Sequence, residues 1–321
     1  HGPDGDGNGV FGRLYDDFGQ PASSEFQVNT LTGGNQVFSQ ATYLTNGDFL
    51  ITWHGPGIGP DSSTNDLYAR RFNSSGIALG DEFVLNQLVT GQQVLPSISA
   101  LPGGEYAVAF QSSAGGGGIH LQYFNSDDSI KGAEQTISQF GLPSQVDVDI
   151  ARNASGQTVV VWTEQRRDDD LSQGIYAQTF NADGTAASLE FPVTLVTELD
   201  QLRPQVGIDD AGNVVVLWET TEIVPDPENP GSDKTIRPLR VRRFALDGNP
   251  IGSVITPQNQ LDFVVASETT LAVAGDGKFV VGFDPQNSIE DYAYEVFDAS
   301  GNSVNAFVIP TQPEWIGHWP C

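Results

Sequence analysis

Gln205-Val206-Gly207-Ile208, then Asp209-Asp210-Ala211-Gly212-Asn213, then Val214-Val215-Val216-Leu217-Trp218: this stretch decides the fold. The first four residues alternate as a short strand does. The next five are rich in residues that tolerate a left-handed turn. The last five are almost wholly apolar and β-branched, as expected of a strand covered on both faces. Glu219 to Arg237 reads as a long loop. Leu239 to Phe244 alternates apolar residues with arginine, Leu246-Asp247-Gly248-Asn249 turns the chain, and Ser253-Val254-Ile255 makes a fourth, edge strand.

Working outward, the same arrangement returns at intervals of about 55 residues, which is the signature of a repeat architecture. Each unit opens near a Gln-x-x-x-Pro or its remnant. The apolar run ends in Trp53, Phe110, Trp162, Trp218 and Phe283, and a second aromatic column reads Tyr15, Phe72, Phe124, Phe180, Phe244 and Phe297. Four antiparallel strands per unit is the pattern of a β-propeller blade, and neighbouring blades must stack because none can bury both faces alone. The sequence therefore predicts an all-β chain: a β-propeller of four-stranded antiparallel blades, about six, counted as five full repeats plus a split, incomplete one. Residues 1–321 read as a single propeller domain and a fragment of a longer secreted repeat protein. The run-ending aromatics should be buried at equivalent places.

Composition narrows the function. There are 41 acidic residues against 14 basic ones, a formal net charge of −27, and only three lysines, Lys131, Lys234 and Lys278. Nucleic-acid binding needs basic patches, so it is excluded. No stretch is apolar enough to span a bilayer. The lone cysteine is Cys321, so no intrachain disulfide forms.

Three runs carry a resemblance: Gly174-Ile175-Tyr176-Ala177-Gln178-Thr179-Phe180-Asn181-Ala182-Asp183-Gly184, Glu25-Phe26-Gln27-Val28-Asn29-Thr30, and Asp66-Leu67-Tyr68-Ala69-Arg70-Arg71-Phe72-Asn73. They resemble a repeat of very large secreted bacterial proteins, including RTX-type and adhesin-like surface proteins. The resemblance covers nearly the whole chain and is weakest around Asp262 to Ser267. It implies secretion to the cell surface or medium, calcium-rich surroundings, and adhesive or scaffolding roles, with no catalytic residues.

Asp4-Gly5-Asp6-Gly7-Asn8-Gly9 is the best local motif. Oxygen ligands at alternate positions, with glycine between, suit Ca²⁺. Asp4, Asp6 and Asn8 are the expected ligands, although Tyr15 stands where an EF-hand loop carries its Glu. The Asp-rich loops of other units, such as Asp168-Asp169-Asp170, read as solvated. His1, His54, His120 and His318 read as ordinary surface or loop histidines. Trp315, His318 and Trp319 form a terminal aromatic cluster expected to meet a partner chain or a sugar. No P-loop, nucleophile elbow, Rossmann fingerprint, HExxH or sialidase-type Asp-box occurs.

The expectation is thus a non-catalytic extracellular module, not an enzyme. Its role would be adhesion, surface-layer or scaffold assembly, stabilised by calcium, with other chains of a surface assembly or polysaccharide as partners. Two alternatives stand beside it: a lectin-like carbohydrate-binding propeller, and a polysaccharide hydrolase or lyase, which needs acids clustered with Arg or His at one mouth.

Overall fold

The structure is a computed structural model that describes residues 4–44, 47–57, 64–138, 147–165, 172–194, 199–226, 229–258, 269–283 and 291–310. Two compact units divide the chain, residues 1–156 and 157–321. No helix among the described residues is long and apolar enough to cross a membrane.

The first unit begins with β1 (Phe11–Gly12) and β2 (Phe26–Gln27), which among the described residues pair only with each other. By the repeat they are the third and fourth strands of a set, with no inner pair among the described residues. A four-stranded antiparallel sheet follows: β3 (Val37–Tyr43), β4 (Phe49–Pro56), β5 (Asn65–Phe72) and β6 (Phe83–Val84). The next is β7 (Gln93–Ala100), β8 (Tyr106–Ser112), β9 (Gly118–Phe124) and β10 (Ile130–Thr136), and β11 (Val148–Arg152) closes the unit.

The second unit starts with β12 (Thr158–Gln165), β13 (Gln173–Phe180) and β14 (Phe191–Pro192), paired in that order. β15 (Gln201–Ile208), β16 (Val214–Thr220), β19 (Leu239–Phe244) and β20 (Pro250–Ile255) form a sheet. Between β16 and β19, the stretch read as a loop holds a two-stranded hairpin, β17 (Glu222–Pro225) and β18 (Asp233–Ile236). Its alternation of Ile and Val with charged residues is short and interrupted by prolines, which hides it in the sequence. β21 (Thr269–Val273), β22 (Phe279–Phe283), β23 (Asp291–Phe297) and β24 (Ser303–Pro310) make the last sheet.

The two aromatic columns explain why the pattern repeats. Trp53, Phe110, Trp162, Trp218 and Phe283 are all buried, and so are Phe72, Phe124, Phe180, Phe244 and Phe297. Burying each such side chain contributes about 1.5–3 kcal/mol. Phe49 stacks on Phe72 at 5.4 Å, Tyr106 on Phe124 at 4.7 Å and Phe279 on Phe297 at 4.6 Å. Cross-strand register sets these pairs. Tyr15, first in the second column, is instead half exposed, beside the two-stranded sheet.

A polar clip recurs with equal regularity. Asn29 Oδ1 accepts the N–H of Val10, Asn86 Oδ1 that of Leu67, Ser138 Oγ that of Ile119 and Thr194 Oγ1 that of Ile175. The spacing is 19 residues each time. The Asn of the Glu-Phe-x-Val-Asn run therefore closes a ring from the last strand back to the start of the third. The Glu of the same run reaches the preceding repeat. Glu82 accepts the N–H groups of Thr30 and Leu31 at 2.7 and 2.9 Å, and Glu134 accepts that of Gln87 at 2.7 Å.

The glutamine that opens each unit is buried in β7, in β15 and just before β3. Gln36 donates to Gly33 O, Gln93 to Thr90 O and Gln201 to Leu199 O. Gln201 also accepts from the Trp218 indole N–H at 2.8 Å.

Candidate functional site

Immediately after that glutamine, the first strand of three sheets breaks its own geometry. Phe38, Leu95 and Arg203 take positive φ of 55°, 57° and 50°. Each sits in a bulge, between Val37 and Gln40, Val94 and Ser97, and Leu202 and Gln205. A non-glycine residue held there costs on the order of 1–3 kcal/mol, which the surrounding sheet must supply. Across each bulge stands the residue after the core aromatic. His54 faces Val37, Gln111 faces Val94 and Glu219 faces Leu202.

In the first unit this builds a compact group. His54 is buried, and its ring stacks on Phe38 at 5.2 Å with an interplanar angle of 20°. Its Nδ1 lies 3.2 Å from the Leu95 backbone nitrogen and accepts that N–H, so the ring proton resides on Nε2. Burial lowers the His54 pKa from 6.5 to about 4, leaving the imidazole neutral near pH 7. Phe38 itself is 59% exposed. The group therefore offers an aromatic face to solvent on a fixed, uncharged support.

In the second unit the same position carries charge. Arg203 Nη1 is 3.1 Å from Glu219 Oε1, with the arginine side chain half exposed and the glutamate buried. The three positions thus present an aromatic ring, an aliphatic chain and a guanidinium on a carboxylate. Sequence reading missed them because Phe, Leu and Arg look like ordinary strand residues. Only Pro96 and Pro204, directly after Leu95 and Arg203, hinted at a constrained backbone.

The sequence-predicted residues fare differently. Asp4 Oδ2 accepts from Asn29 Nδ2 at 3.1 Å, while its Oδ1 is buried with no hydrogen-bond partner among the described residues. Asp6 is exposed, 3.4 Å from the Gly34 nitrogen, and the Asn8 N–H donates to Asn35 Oδ1 at 3.0 Å. The loop therefore holds Asp4 against Asn29 and leaves Asp6 exposed. Among the described residues no group of three or more His, Cys, Asp or Glu could hold a metal. Trp315, His318 and Trp319 lie outside the described residues.

Two of the four histidines depart from the surface role expected of them. His54 is buried as above, and His120 is buried with Nδ1 2.7 Å from Glu134 Oε1. His120 faces Phe110, at the register where Tyr68 faces Trp53, so it fills a core position of the repeat.

A groove of about 360 Å³ separates β1–β2 from β3, lined by Val10, Phe11, Leu14, Phe26, Tyr43 and Phe49 among others.

No family model matches the sequence, and no curated protein does. Solved structures do match in fold. A Dyadobacter fermentans protein of unknown function aligns with a TM-score of 0.58 and 11% identity, over 86% of this chain and 83% of its own. A polysaccharide lyase described as an ulvan lyase aligns at 0.51 and 10%, over 86% and 70%. A Penicillium chrysogenum α-L-arabinanase aligns at 0.51 and 13%, over 86% and 93%. These likenesses show a shared all-β fold.

They also correct the expectation of a non-catalytic adhesion, surface-layer or scaffold module that is not an enzyme. Solved proteins of this fold include a lyase and an arabinanase, so an evenly repeated core is no sign of a passive scaffold. The repetition that prompted that reading lies in the aromatic columns, which hold sheets together. The variation lies at the positive-φ positions, where chemistry differs from repeat to repeat.

Proposed function

We propose that this chain is a β-propeller enzyme acting on a polysaccharide outside the cell, as a hydrolase or a lyase. One observation carries the reading: Phe38, Leu95 and Arg203 share a strained register position yet differ in chemistry. A lectin built on repeats would place the same aromatic at each equivalent position. An asymmetric substrate instead needs different contacts from neighbouring repeats, as Phe38 and Leu95 differ within the first unit, and enzymes hold such contacts on rigid strands. The fold-level likeness to a lyase and an arabinanase supports this reading as analogy. The resemblance of the repeats to secreted surface proteins supports the extracellular setting.

The test is to incubate the full chain with a panel of uncharged and anionic polysaccharides. New reducing ends report cleavage, and ultraviolet absorbance of an unsaturated product separates elimination from hydrolysis. Release from at least one polysaccharide is expected, with a slower rate for Arg203→Ala at unchanged far-ultraviolet circular dichroism. A folded parent that releases nothing from any member of the panel would overturn the reading.

A further inference from the structure

We infer that Phe38 is a stacking platform for a sugar ring of an uncharged glycan. This rests on the reading of the chain as polysaccharide-acting and specifies which polysaccharide it takes and by which residue.

Two local rules are broken at one position. A bulky aromatic side chain occupies a backbone conformation that glycine or asparagine would take at less cost, with φ of 55°. The same ring is 59% exposed, where folding alone favours a polar residue. Both departures at one residue are what a binding contact leaves behind. The ring is also immobilised from beneath. It lies 5.2 Å from the His54 ring at 20°, and the Leu95 N–H fixes that imidazole through Nδ1. A ring held in this way loses little freedom when a ligand arrives. An aromatic face of this kind suits the C–H face of a pyranose or furanose.

Charge decides the class of glycan. With 41 acidic residues against 14 basic, the chain repels a polyuronate or a polysulfate. The support beneath Phe38 is a neutral imidazole, so nothing in the group recruits an anion. At the matching position of the second unit, the Arg203 cation is bridged to Glu219.

The experiment measures binding of the full chain by calorimetry to arabinan and xylan, which are uncharged, and to polygalacturonate and a sulfated glycan. Phe38→Ala, Phe38→Trp and Phe18→Ala are compared with the parent. Phe18 is 86% exposed in a hairpin turn and serves as the control. We expect the parent to bind an uncharged glycan. Phe38→Ala should weaken that binding by about tenfold, with Phe38→Trp and Phe18→Ala close to the parent. If the parent binds and cleaves an uncharged glycan but Phe38→Ala matches it, the stacking inference fails and the enzymatic reading stands. A parent that takes only the anionic glycans overturns the inference as well. Failure to bind or cleave any of them overturns both.

Discussion

At the scale of a residue, His54 shows how burial sets a titration. Its folded pKa lies at about 4 against an ordinary 6.5. Above pH 6.5 the imidazole is neutral both folded and unfolded, so its contribution to stability is constant. Between 6.5 and 4 the unfolded chain takes up a proton that the folded chain refuses, and stability falls as pH is lowered. Protonation at Nδ1 would also end the acceptance of the Leu95 N–H. Urea unfolding at several pH values should show a steeper loss between 6.5 and 4 in the parent than in His54→Gln. Parallel curves would mean that this histidine does not titrate within the fold. Other groups change charge over the same range, so the difference between the two proteins is the quantity to read. Nothing in the sequence announced this role. A histidine directly after Trp53 looks like the start of a loop, and its burial depends on a bulge one strand away.

At the scale of an element, most of each sheet was legible and its joints were not. Runs of Val and Ile ending in Trp or Phe, with Gly-bearing turns between, were enough to place the strands. The clamp between repeats could not be read, because Glu82 and Glu134 look like solvated strand-end acids. In the structure Glu82 caps two backbone N–H groups of the preceding repeat, and Glu134 caps Gln87 while meeting His120. Hydrogen bonds to an ionised acceptor are worth about 1.5–3 kcal/mol when desolvated and less at partial exposure. Glu82→Ala should therefore cost about 1 kcal/mol globally. It should also speed amide exchange at Thr30 and Leu31, by at least about tenfold, while Gln87 stays protected. Uniform exchange changes across both loops would argue that Glu82 acts on overall stability rather than as a local cap. Asp128 is a related joint. It sits at a φ of 67°, in the turn position that glycine fills in the neighbouring repeats, and there it meets Arg71 at 2.6 Å and the Tyr106 hydroxyl at 3.1 Å. The sequence showed only a missing glycine.

At the scale of the whole molecule, charge dominates. A formal −27 spread over 321 residues repels itself, and this repulsion weakens as salt screens it. Calcium at Asp4, Asp6 and Asn8 would add a local term to that general one. The best support for it is the buried Asp4 Oδ1, which has no partner among the described residues. An ion bound only by the folded form raises stability with its concentration. At fixed ionic strength, the melting temperature should be higher in calcium than in chelator, with Asp4→Asn losing most of the increase. An equal increase in parent and variant would assign the effect to general screening. The composition told the sign and size of the field. It could not tell which carboxylate lacks a partner, since that depends on Asn29 approaching only one of the two Asp4 oxygens.

The clip of Asn29, Asn86, Ser138 and Thr194 has a consequence for how such a chain can be lengthened. Because its span is 19 residues in four repeats, the outer pair of strands and the turn between them work as a fixed-length cassette. Any insertion there would pull the capping side chain away from the strand it closes. The slack in the repeat lies elsewhere, between the second and third strands, where one unit extends into the β17–β18 hairpin without disturbing the sheet that carries it. At the tip of that hairpin, Asp226, Asn229 and Ser232 are joined by turn hydrogen bonds, so foreign sequence is best grafted there. Length variation in this chain is thus channelled to one kind of loop, while the outer edge keeps its length in the four clipped repeats.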